Sequence, residues 1–237
     1  MAEVFARLRG LSIIGFSICL AFEAAVALNG PDDTLLLDTV AGIKDVLLVP
    51  FDIAIYRLLI LGEVTSRYSF ALDTSSRFQR IAGWTIGLWA FNTLPRHALS
   101  LLTSSDLRQG IAVLASMVAG IAIAVRIAIF FPAIASDARG ATIGSALADT
   151  SGRAWFILKA FVIVFLPLLV VTIGMVGLAL LGVVSDISDL SAWSALPRIV
   201  LTGTVGFLTQ AAYAVAASLL FDWIGDRVKG TPSSAPG

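Results

Sequence analysis

The chain has 237 residues, of which only 14% are charged and 58% are apolar, with 20 glycines besides. An average soluble domain carries roughly 25% charged residues, so this one lacks the polar groups to cover a surface in water, and a mean hydropathy of +0.93 agrees. Sixteen basic and sixteen acidic residues cancel, which leaves no electrostatic footprint for nucleic acid.

Six apolar segments follow in chain order, each near the ~20 residues that a bilayer core requires. They are Leu11–Leu28, Val46–Leu61, Ile81–Leu102, Ile111–Phe131, Trp155–Val184 and Ile199–Phe221. The expected fold is an all-α, polytopic membrane bundle of six transmembrane helices with short interfacial helices. It forms one domain over residues 1–229, followed by a Pro/Ser/Gly-rich tail, 230–237, expected to be disordered.

The first segment also has the layout of a signal peptide, with Arg7 and Arg9 ahead and Ala25-Val26-Ala27 behind. The length of its apolar run and Glu23 within it favour an uncleaved anchor. Between the first two spans, Asp33–Asp45 reads as an amphipathic surface segment, and Pro50 is expected to turn the chain into the membrane. The loops at Gly62–Arg80 and Asp137–Arg153 are too short for a soluble domain. Tyr68, Phe70 and Phe78 are placed to dip among headgroups, and the second loop offers a short amphipathic helix.

Orientation follows from the loop cations. Arg7, Arg9, Arg67, Arg77, Arg80, Arg139, Arg153, Arg227 and Lys229 fall on one side, against Lys44, Arg96, Arg108 and Arg198 on the other. The acidic pairs Asp32 with Asp33 and Asp186 with Asp189 accompany the smaller set. Basic loops stay in the cytoplasm, so both termini are expected there.

Chemistry-bearing patterns are few. Cys19 and His97 are the sole representatives of their types, so neither a disulfide nor an HExxH metal site can be built. No nucleophile elbow, P-loop or dinucleotide fingerprint occurs, and no enzyme activity, metal or cofactor is expected.

Charged residues inside spans are costly, and those here are Glu23, Asp52, Arg57, Arg96 and Arg126. Counted from the span ends, Glu23, Asp52 and Arg96 share the outer half. They suit a polar network in which Arg96 neutralises an acid, or a proton or substrate path. Arg57 and Arg126 share the inner level. Either each snorkels to lipid phosphates or helix-terminal carbonyls, or the two converge on an anionic headgroup or phosphorylated metabolite.

Small residues mark packing faces: Ala112, Ser116, Gly120, Ala124 and Ala128 recur every fourth position, as do Ala212 with Ala216 and Ala214 with Ser218. Close packing within the bundle explains them, and self-association within the membrane is the alternative. Trp155, Trp193 and Trp223 fall where an aromatic belt would lie.

The stretch Arg126–Trp155, RIAIFFPAIASDARGATIGSALADTSGRAW, and the closing AAYAVAASLLFDWIGDR resemble the membrane domain of some bacterial glycerophosphodiester phosphodiesterases and the related YciC-like six-span inner-membrane proteins. VPFDIAIYRLLILGEV is a weaker match. The likeness covers about residues 110–227 and implies six spans in a bacterial inner membrane with an interfacial helix after the fourth. It carries over no catalytic residue, because the phosphodiesterase chemistry of those enzymes resides in a separate soluble barrel. The expected role is therefore non-catalytic: binding anionic lipid or serving membrane or lipid homeostasis, with a small-solute or lipid transporter and an accessory subunit of a larger membrane complex as alternatives. Membrane lipids are the expected partners.

Overall fold

A computed structural model describes residues 1–29, 34–65, 67–68, 70, 76–102, 106–180 and 192–230. Every regular element among them is a helix. The order is α1 (Ala2–Arg7), α2 (Arg9–Asn29), α3 (Thr34–Leu61), α4 (Ser76–Leu102), α5 (Asp106–Ile127), α6 (Phe130–Ala135), α7 (Ile143–Asp149), α8 (Ala154–Leu180), α9 (Ala192–Ile224) and α10 (Asp226–Lys229). The expected acidic pairs at Asp32, Asp33, Asp186 and Asp189, the fifth span's end at Val184 and the tail beyond Gly230 lie outside the described residues. So do the side chains of Arg96, Arg108, Ala112 and Trp193.

Six helices are long: α2, α3, α4, α5, α8 and α9. The shortest, α2, has 21 residues and so covers about 31 Å at ~1.5 Å per residue. Length is met more widely than composition. Only three described helices are both long and apolar enough to cross a membrane, over Arg9–Ala27, Ala154–Gly174 and Leu196–Ile224. Three of the six expected spans thus meet both conditions. α3 carries Asp38, Lys44, Asp45, Asp52 and Arg57, and α4 carries Gln79, Asn92, Arg96 and His97; α5 is apolar over Leu114–Ile127, and several side chains before that stretch lie outside the described residues.

The polar α3 lies inside. It packs against α2, α4, α6 and α9, and Phe51, Ala54 and Ile55 on it have no exposed surface. Its course differs from expectation, since one helix runs from Thr34 through Pro50 without a break. Proline withholds one helical N–H, a loss that surrounding helices and side chains can absorb in a packed bundle. Here the hydroxyl of Tyr68 donates to the Leu47 carbonyl at 2.6 Å, beside the proline turn. Tyr68 thus packs along α3.

Aromatic and small residues fill the rest of the core. Phe207 of α9 collects Phe5, Phe16 and Phe51 within 5.8 Å of its ring centre. Ala211, Ala214 and Ala217 on α9 are fully buried, and Gly203 lets Leu20 approach so closely that an added Cβ would stand 2.8 Å from it. Small side chains therefore set the α2–α9 distance, as helix association in lipid favours.

At one end of the bundle α5 stops at Ile127, earlier than the expected Phe131, and the chain turns through Ala128 and Ile129 into α6. Thr142 caps α7, accepting from the Ser145 amide at 3.2 Å. The α6–α7 stretch then meets the end of the described chain. The Gly140 amide donates to the Val228 carbonyl at 3.1 Å, and the Val228 amide donates to Asp149 Oδ2 at 2.9 Å. Gly230 closes α10 with φ 77°, a left-handed cap that glycine adopts without strain.

Candidate functional site

The arginines expected on one inner level do share one end of the bundle, and each is held by a helix-terminal carbonyl. Arg57, in the last turns of α3, donates from Nη1 to the Ala135 carbonyl at 2.9 Å and from Nη2 to the Glu63 carboxylate. Asp137 Oδ2 stands 3.7 Å from Arg57 Nη1 and is gripped chiefly by Arg77, whose Nε donates to Asp137 Oδ1 at 2.6 Å. That hydrogen bond holds the Asp137 carboxyl below its ordinary range. Arg126 donates to the Leu147 carbonyl at 3.3 Å, while its own carbonyl accepts from Thr150 Oγ1 at 2.9 Å. The two arginines share no partner: Arg57 is fastened to α6, Arg126 to α7.

The outer acids are arranged differently. Asp52 is 6% exposed, and its Oδ2 accepts from Gln210 Nε2 of α9 at 2.6 Å. Its other oxygen, Oδ1, has no hydrogen-bond partner among the described residues. The sequence sets Arg96 against Glu23 or Asp52; the side chain of Arg96 lies outside the described residues, and the partner seen for Asp52 is a neutral amide. Glu23 lies half-buried on α2, away from Asp52's cavity, and Arg96 follows three residues after Thr93 on α4.

Asp52 borders a cavity of about 400 Å³ among α3, α4, α6 and α9. Asp45 lies one to two turns before it on the same helix and borders the same space. Tyr56, Trp89 and Tyr213 supply aromatic walls; Thr85, Asn92 and Thr93 supply polar ones. None of the described lining residues is a lysine, arginine or histidine. Several neighbours are already oriented. Thr85 and Asn92 each donate to their own helix, to the Ile81 carbonyl at 3.0 Å and the Leu88 carbonyl at 3.1 Å. Trp89 Nε1 donates to the Asp38 carbonyl at 2.7 Å, and its ring leaves no room for a side chain at Gly42, where a Cβ would stand 2.7 Å away. The indole is thereby locked between α3 and α4.

What sequence reading missed is Gln210 and the aromatic walls. A signal existed: Thr85, Trp89 and Thr93 recur at four-residue spacing on one face of α4, and Asp45, Asp52 and Tyr56 share a face of α3. Chemically the arrangement is a hydrogen-bond-accepting, acidic space with flat apolar sides, set between helices and open on one side. Compared with known proteins, the chain matches no family model, no curated protein and no solved structure.

Proposed function

We propose that this chain is a polytopic protein of a bacterial cytoplasmic membrane, with all six long helices crossing, and that it binds a small solute inside the bundle without doing covalent chemistry on it. The observation that carries the reading is Asp52: an almost fully buried carboxylate with one unsatisfied oxygen beside a 400 Å³ cavity. A buried acceptor left unpaired is costly, and cavities of several hundred Å³ lined by apolar and a few polar groups are the usual form of ligand sites. Each intramembrane charge calls for a partner or a functional cause.

Contact parity supports the even count of crossings. Arg57, itself paired with Glu63, meets Ala135 and Asp137, so the ends of α3 and α6 share one face and α4 and α5 cross together or not at all. Gly140 meets Val228, so the same holds for α8 and α9. The polar letters of α3 need not face lipid, because four helices surround it.

Thiol labelling in sealed inside-out vesicles tests both parts, on a Cys19→Ala background. Cysteines replacing Arg139 and Arg227 should react with an impermeant reagent applied to the exposed cytoplasmic face. A cysteine replacing Thr85 should react with a small permeant one. A Thr85→Cys thiol as inert as the buried Cys19 would end the solute-binding reading, and labelling of Arg139→Cys and Arg227→Cys from opposite faces would end the even count.

A further inference from the structure

Resting on that solute-binding reading, we infer that the ligand of the Asp52 cavity is a small organic cation carrying N–H donors, of the class of protonated alkylamines. The first argument is charge. Two carboxylates, Asp45 and Asp52, border the space, and none of its described lining residues is basic. The nearest cation in sequence, Lys44, precedes Asp45 on α3 and is not part of the wall. An anion would meet two acids and no cation among these residues.

The second argument is hydrogen-bond direction. Gln210 spends its Nε2 on Asp52 Oδ2, which fixes the carboxylate and leaves Oδ1 as an acceptor awaiting a donor. A ligand with N–H groups completes it, and a charged one makes the stronger, charge-assisted bond. Alcohols could donate but would leave the carboxylate's charge uncompensated.

The third argument is the shape of the remaining wall. Tyr56, Trp89 and Tyr213 border the cavity, and aromatic side chains attract an ammonium group while offering apolar surface to attached methylenes. About 400 Å³ is ample for a body of a few carbon atoms. A divalent metal ion fits less well: among the described residues no three or more His, Cys, Asp or Glu side chains gather.

The test is calorimetric titration of the full chain in detergent micelles with three probes sharing one carbon chain: n-butylammonium, 1-butanol and butyrate. Butylammonium should saturate, bind at least about tenfold more tightly than 1-butanol, and lose that advantage in Asp52→Asn. Butyrate should not bind. Because Asp52→Asn removes a buried group, its elution on gel filtration is checked against the native protein. Thr85→Leu serves as a second variant, filling the cavity while keeping the carboxylate, and it should abolish binding too. Equal binding of butylammonium and 1-butanol, unaffected by Asp52→Asn, would overturn the cation inference and leave the solute-binding reading standing. No binding of any probe while Thr85→Cys stays reactive would likewise overturn the ligand class alone. An inert Thr85→Cys would remove both.

Discussion

Asp137 sits in a left-handed backbone conformation, φ 54°, which puts its carboxylate within reach of the Arg77 fork and the Arg57 guanidinium. Short polar side chains tolerate that conformation better than most. Since Arg77 lowers the Asp137 pKa in the folded protein, the ion pair stabilises the fold above the unfolded carboxyl pKa of about 3.9, and the contribution fades as pH falls through the lower folded value. Native protein and Asp137→Asn should therefore differ in thermal midpoint near pH 6, and that difference should shrink below about pH 4. A gap that persists unchanged into acid would mean the carboxylate charge plays no part. At this scale the sequence was informative about which residues matter and poor at pairing them. Asp52 stood out because an acid in an apolar run is expensive anywhere. Its partner did not, because Gln210 is 158 positions away and only the register of α9 on α3 brings it near.

Elements were legible where periodicity and length decided and less so where tertiary contacts did. Pro50 reads locally as a break, yet α3 continues through it because its neighbours and Tyr68 hold the turn. The end of α5 could not be placed from apolar letters that run unbroken into α6. The junction between the α6–α7 segment and α10 depends on one missing side chain. A Cβ at Gly140 would stand 2.0 Å from the Arg227 carbonyl oxygen and 2.9 Å from that of Val228. Because backbone, not a flexible side-chain tip, blocks the space, α10 would have to lift away, weakening both bonds that Val228 makes. Gly140→Ala should cost about 2 kcal/mol of stability, in the range of overpacking changes, while butylammonium binding, far from this junction, stays intact. Thermal unfolding in detergent would show the first and calorimetry the second; an unshifted midpoint would show that α10 yields freely.

Over the whole molecule, composition announced helices in lipid, and three helices are long and apolar enough to cross. α3 and α4 fall short because charged and amide side chains, several of them in interior contacts, lower their hydropathy, a consequence of packing that a window average cannot separate from exposure to water. The gathering of arginines at one end was legible in two ways, Arg77 and Arg80 from loop-charge bias and Arg57 and Arg126 from a shared depth in their spans. That Arg80 and Arg126 bond carbonyls of the α6–α7 segment, at 2.9 and 3.3 Å, was not. At this end Arg139, Arg153 and Arg227 are exposed, whereas Arg57 and Arg126 have donors engaged by carbonyls. The Arg57→Ala/Arg126→Ala double variant should still capture anionic vesicles of phosphatidylglycerol while losing thermal stability. Loss of vesicle capture with unchanged stability would instead make those two arginines the headgroup site.

The Asp149 carboxylate, only 9% exposed, takes its backbone donor from a residue 79 positions later. During synthesis α7 is thus made well before anything can complete it, with α8 and α9 still to follow. Joining Val228 to Asp149 is consequently a late event in folding, because the acid waits for its donor until the chain has come back along α9 to the end of the bundle where α7 lies.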